Sequence, residues 1–279
     1  MTEKTIGIIG CGNMGSAIAG RLTDGYPVIV FDKDRDKTSG LEGIKSAKNI
    51  AGLLKEAQVI ILAVKPQDYD AVLDEVKSGI SCDRLLISIA AGISTQYLEK
   101  KLGQVKIIRV MPNMGITIGA GMTCLSKGKF AADEDLDFAR GLFKRMGQAM
   151  CIEERMMNAA TAVSGSGPAY VCEYLLSQSL GLDNTADKGR EVFLNAFRDA
   201  AVGVGFSRQD AAFLVEKTFS ATVNFLKIKR LAPEQLIRQV ASKGGTTEAA
   251  LAILHNGGSL EEAVRAALRR AEELSKKDS

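Results

Sequence analysis

Gly10, Gly12 and Gly15 stand on the spacing G-x-G-x-x-G, directly after the apolar run Ile6, Ile8 and Ile9. That is the pattern of a buried strand turning into a helix, and each glycine has its own task. The first permits the tight turn, the second lets backbone approach a pyrophosphate, and the third lets the helix lie close on its strand. The helix start then offers free N–H groups to the anion. A second strand, Pro27 to Phe31, ends at Asp32, about 20 residues past the glycines, where a carboxylate grips a ribose 2′-hydroxyl. Three later segments also gather small and polar residues: Arg109-Val-Met-Pro-Asn113, Ser164-Gly-Ser-Gly-Pro-Ala-Tyr170 and Val240-Ala-Ser-Lys-Gly-Gly-Thr-Thr247. By residue type alone, Ser242 to Thr247 reads as a loop with a threonine N-cap.

The elements that must hold these residues alternate through the first half. After Asp32 comes a patch that reads as polar and mobile, then the apolar run Gln58 to Pro66. Its continuous apolarity suits a parallel strand covered on both faces. Lys65-Pro66 closes it at the edge where open α/β sheets bind ligands. A helix over Tyr69 to Ser78 and a strand from Arg84 repeat the cycle, ending in Ala90-Ala91-Gly92, whose small side chains leave room for a cofactor. Ser94 and Thr95 can cap the next helix. Further strands are expected at Val105 to Val110, Gly121 to Leu125 and Ala149 to Ile152, with a helix from Asp133 to Met146. From about Glu154 the alternation gives way to helices. Val192, Ala196 and Ala200, with Phe193 and Phe197 beside them, repeat at helical spacing, and the phenylalanine stripe is expected in the core. Ser207, Pro233 and the Ser259-Leu-Glu-Glu262 capping box mark later helix starts. The expected fold class is α/β: an N-terminal Rossmann-like dinucleotide-binding domain (1–154), then an all-α dimerisation and substrate domain (155–279).

The chain has 279 residues, 46% of them hydrophobic, which supports two packed domains. Its 36 basic and 33 acidic residues leave a net charge of +3, spread without a basic tract. Nucleic acid is therefore not expected as a partner, nor is a membrane surface. The apolar run Val59 to Val64 is far below the ~20 residues that span a bilayer. With no signal-peptide core before the first strand, the expected location is cytoplasmic. Five widely spaced cysteines, Cys11, Cys82, Cys124, Cys151 and Cys172, read as reduced and structural. The single histidine, His255, precedes Asn256-Gly-Gly and reads as a helix C-terminus. No set of metal ligands is expected. So many apolar helical faces suggest burial against a second subunit, a homodimer or higher homo-oligomer.

Together, the opening glycines, Ala63-Val-Lys-Pro66 and the three later segments resemble the pyrroline-5-carboxylate reductase family, in that family's order and over nearly the whole chain. The resemblance implies hydride transfer from NAD(P)H to the C=N carbon of 1-pyrroline-5-carboxylate, giving proline. It also implies an active site formed where the two domains meet across subunits. A cyclic imine can carry its own proton, so the protein must orient, exclude water and hold a carboxylate. The cofactor contacts implied are Ile9, Gly10, Cys11, Gly12, Asn13, Met14, Gly15, Asp32, Asn49, Ala63, Val64, Lys65, Pro66, Ala90, Ala91, Gly92 and Asn113. The substrate carboxylate is implied to rest on Ser242, Lys243, Gly244, Gly245, Thr246 and Thr247, with the Thr247 hydroxyl hydrogen-bonding the ring nitrogen as the catalytic group.

The chain departs from the family's usual pattern in four places. Met114-Gly115 stands for Thr-Pro, Lys243 for a proline, and Glu248 for an apolar residue. The stretch around Ser177 to Glu191, with Gly181, Asp183-Asn184 and Gly189, interrupts what is usually one long helix. Asp32 favours NADH, whereas Lys33 and Arg35 beside it favour a 2′-phosphate, so both dinucleotides stay open. Two other readings also stay open: a reductase of another small cyclic imino acid, and a dinucleotide-sensing protein without turnover. Alcohol-oxidising relatives of this architecture use a lysine where this chain has Val171.

Overall fold

The computed structural model describes residues 4–178 and 188–276. Two compact units emerge: one holds residues through Met111 together with Cys124–Glu154, the other holds Pro112–Thr123 and the chain from Arg155.

The sheet and the helices along it are β1 (Ile6–Ile9), α1 (Asn13–Leu22), β2 (Val28–Phe31), β3 (Lys45–Ser46), α2 (Ile50–Glu56), β4 (Val59–Leu62), α3 (Tyr69–Lys77), β5 (Leu85–Ser88), α4 (Thr95–Leu102), β6 (Lys106–Pro112), β7 (Gly121–Lys127), α5 (Asp133–Lys144) and β8 (Gly147–Cys151). The strand order is β3-β2-β1-β4-β5-β6-β7-β8, and β1 to β6 pair in parallel. Ile9 lies level with both Phe31 and Leu62. Gly10, Asp32 and Ala63 therefore leave the sheet side by side, at the point where strand order reverses and open α/β sheets take ligands. The strands are apolar on both faces because helices cover both: every residue of β1, β4 and β5 is buried.

The patch after Asp32 is polar and largely exposed from Lys33 to Asn49, and it holds more regular structure than expected. It contains β3 and α2, with Ile50, Leu53 and Leu54 buried and the Asn49 carboxamide accepting the Gly52 N–H at 2.8 Å. α2 has only seven residues, too few turns for a periodic signal to show. Ser94 Oγ accepts the Tyr97 N–H as the cap of α4. Arg109, buried on β6, meets Glu154 at 2.9 Å, and the same carboxylate oxygen accepts the Thr95 N–H.

The second unit holds α6 (Met157–Ala160), a π turn over Thr161–Gly165, α7 (Gly167–Ser177), α8 (Lys188–Gly203), α9 (Arg208–Lys229), α10 (Pro233–Val240), α11 (Thr246–His255) and α12 (Leu260–Lys276). Ser207 caps α9, and Ser259 and Glu262 cap α12 reciprocally. His255 ends α11 and meets Glu173 at 2.9 Å. The phenylalanine stripe of α8 packs inward, as expected, with Phe197 fully buried. Leu194, Phe197, Ala200 and Ala201 are buried, Phe193 is half-buried, and Ala196 and Val192 are exposed, Val192 by 70%. Between α7 and α8, Gly181, Asp183 and Asn184 lie outside the described residues, while Gly189 falls within α8. Among the described residues, no helix is long and apolar enough to cross a membrane.

Candidate functional site

A cleft of about 530 Å³ opens in the first unit at the exits of β1, β2 and β4. Ile9, Gly10, Gly12, Asp32, Ala63, Val64 and Lys65 line it, joined by Phe31, Lys33, Lys37, Ile50, Gln67, Asp68 and Val72. Gly10 has φ +99°, and a Cβ there would sit 2.8 Å from the Ala63 carbonyl. A Cβ on Gly15 would strike the Gly10 carbonyl oxygen. Gly12, by contrast, is the bare N-cap of α1, and a Cβ on it would meet nothing within 4 Å. Two glycines thus close the turn, and the third opens backbone to the cleft. The N–H groups of Asn13, Met14 and Gly15 begin α1 without a side-chain cap, as an anion site requires. A dinucleotide's pyrophosphate fits this cradle.

Asp32 is half-buried and tied to the glycine turn. One carboxylate oxygen accepts the Cys11 N–H at 2.7 Å and the other accepts the Asp34 N–H at 2.9 Å. Burial, and then the Asp32 charge, push the Cys11 thiol up to about 11, so it stays a neutral, packed thiol at physiological pH. Cys124 and Cys172 are likewise free and buried, and Cys82 and Cys151 are free and exposed. Of the other expected cofactor contacts, Asn49 caps α2, next to the lining residue Ile50. Pro66 opens the turn after Lys65, and Ala90, Ala91 and Gly92 follow β5, Gly92 with φ +84°. Asn113 belongs to the second unit. There its side-chain oxygen accepts the Gly115 and Met122 N–H groups, each at 3.1 Å, and its nitrogen donates to Ser164 Oγ at 3.4 Å.

The second candidate region, in the second unit, is the loop into α11. Ser242, Lys243 and Gly244 are exposed, Thr246 is half-buried, and Gly245 and Thr247 are buried. Gly244 has φ +69°, and its carbonyl accepts from Arg270 Nε at 2.7 Å. A Cβ on Gly245 would strike the Ser242 hydroxyl, and the Gly245 N–H reaches the Ser242 carbonyl at 2.9 Å. The cap of α11 is Gly245, with no side chain to offer, which corrects the threonine-cap expectation. Thr246 and Thr247 are instead the first helical residues, so their N–H groups have no acceptor within the helix. The Thr247 hydroxyl donates to Ser166 Oγ at 3.1 Å, and Thr246 Oγ1 lies 3.0 Å from the same oxygen. Ser166 is fully buried in the Ser164 to Tyr170 segment. No role fell to it from sequence, because its partners lie 80 residues on. Glu248 Oε2 accepts the Gly244 N–H at 2.6 Å, so the carboxylate folds back onto the loop.

Fold and cleft place the chain among dinucleotide-binding α/β proteins. Residues 5–92 match the family described as NADP oxidoreductase coenzyme F420-dependent, and residues 191–277 match pyrroline-5-carboxylate reductase dimerisation. The chain is 35% identical to a pyrroline-5-carboxylate reductase of Synechocystis, over 98% of both chains. It is also similar to a solved pyrroline-5-carboxylate reductase from Coxiella burnetii: 30% identity, TM-score 0.64, covering 98% of this chain and 99% of that one. A Plasmodium falciparum pyrroline carboxylate reductase solved with NADP bound aligns at 26% identity and TM-score 0.62, over 100% of both. The chain belongs to the pyrroline-5-carboxylate reductase family.

Proposed function

We propose that this chain reduces 1-pyrroline-5-carboxylate to proline, using NAD(P)H, as a cytoplasmic homodimer or higher homo-oligomer. Residues 1–154 are its cofactor half in this reading, and 155–279 its substrate and dimerisation half. The observation that carries it is the loop Ser242 to Thr247 in a chain of this family: a side-chain-free helix start beside a buried, hydrogen-bonded threonine hydroxyl.

The glycine turn from Ile9 to Gly15 holds the pyrophosphate on the first N–H groups of α1, and Asp32 takes the ribose. Ala63, Val64, Lys65 and Pro66 wall the cleft, with Asn49, Ala90, Ala91 and Gly92 as further contacts; Asn113 serves as the brace of its own turn. The bound reduced nicotinamide supplies a hydride for the C=N carbon. In the second unit, the Thr246 and Thr247 N–H groups receive the substrate carboxylate, with Ser242, Lys243, Gly244 and Gly245 shaping the cradle. The Thr247 hydroxyl, which donates its hydrogen to Ser166, offers its oxygen lone pairs to the protonated ring nitrogen. That contact orients the iminium and keeps its proton on nitrogen, so no strong general acid is needed. As the hydride arrives, the C=N π electrons become the nitrogen lone pair of the amine.

Purified protein is expected to oxidise NAD(P)H when 1-pyrroline-5-carboxylate is added. Thr247→Ala should lower kcat about tenfold or more, the worth of one hydrogen bond to a charged group, and Thr247→Ser should restore most of it. Absence of turnover with measurable dinucleotide binding would overturn the substrate assignment.

A further inference from the structure

We infer that this chain selects NADH over NADPH, through a diol-reading carboxylate whose neighbouring lysines are already paired with other carboxylates. The inference rests on the dinucleotide reading of the cleft. Asp32 accepts one backbone N–H on each oxygen, from Cys11 and from Asp34. Each carboxylate oxygen has two acceptor positions, so one on each remains, side by side at the exit of β2. Two adjacent acceptors fit the two hydroxyls of an unmodified ribose. A 2′-phosphate would replace one donor hydroxyl with a dianion facing a carboxylate already fixed by backbone.

Selection for the phosphate would need free cations here, and the neighbouring lysines are engaged. Lys33 pairs with Asp68 at 2.9 Å, and Lys37 lies between Asp34 at 3.6 Å and Asp32 at 3.9 Å. Three carboxylates thus face two lysines. Arg35 is exposed and is not among the residues lining the cleft. Lys65 lines the cleft from the turn after β4, on the far side of β1 from Asp32.

The test is equilibrium binding of NADH and NADPH, followed by nicotinamide fluorescence at fixed ionic strength, on the full chain. The wild type should bind NADH at least about tenfold more tightly, the scale of one uncompensated charge contact at a partly solvated site. Asp32→Asn should bring the two affinities within a few-fold by gaining NADPH affinity. Asp68→Asn, at an exposed pair, should free Lys33 and tighten NADPH alone. NADPH bound equally well or better by the wild type would overturn the inference. Binding of neither dinucleotide would overturn the underlying reading, and this inference with it.

Discussion

Glu248 shows how one substituted residue changes a backbone cradle. A carboxylate in the first turn of α11 favours the helix, but here it also occupies the Gly244 N–H, a donor of the loop proposed to hold the substrate's own carboxylate. Substrate must therefore displace an internal anion or share the loop with it. Glu248→Ala is expected to lower KM for the anionic imine by about 2- to 10-fold, the net worth of one hydrogen bond, with kcat changed far less. Glu248→Gln should give the part of that gain due to charge alone. An unchanged KM in both variants would sink this role. Residues at this scale divide by how local their partners are. The glycine spacing and Asp32 were legible because strand, turn and helix are contiguous. Ser166 and Arg270 were not, because each acquires its role only when distant helices pack.

At the scale of elements, the departure Met114-Gly115 becomes explicable as packing. Gly115 donates its N–H to the buried Asn113 side chain, and a Cβ on it would lie 2.9 Å from Gly121 Cα and 3.0 Å from the Ala221 methyl of α9. Restoring the family's pair with Met114→Thr and Gly115→Pro removes that donor and overpacks the contact. The double variant should lose about 1–3 kcal/mol, a fall in melting temperature on the order of 5 °C. A melting temperature at or above wild type would contradict this. Element positions were legible wherever a pattern ran long enough: the apolar runs gave β1, β4 and β5, and the caps at Ser207 and Ser259 gave helix starts. Short α2 and the two-residue β3 stayed hidden. The phenylalanine stripe of α8 was legible from its i, i+4 spacing, and Phe197 is buried.

For the whole molecule, the sequence made the class legible through alternation followed by helices. It did not show that the chain passes between units more than once. Pro112–Thr123 interrupts the strands of the first unit yet belongs to the second, where Asn113 meets Ser164 and Gly115 packs on Ala221. The consequence is one of folding order and severability. During synthesis, the Pro112–Thr123 segment must wait until about 100 further residues have emerged before Ala221 reaches it, so contacts of long sequence separation close that unit. The chain is consequently a poor candidate for division at its apparent boundary. Fragments 1–154 and 155–279, expressed apart, are expected to be poorly folded alone and to regain native circular dichroism when refolded together. Independent cooperative melting of each fragment would show that the Pro112–Thr123 segment is dispensable to both.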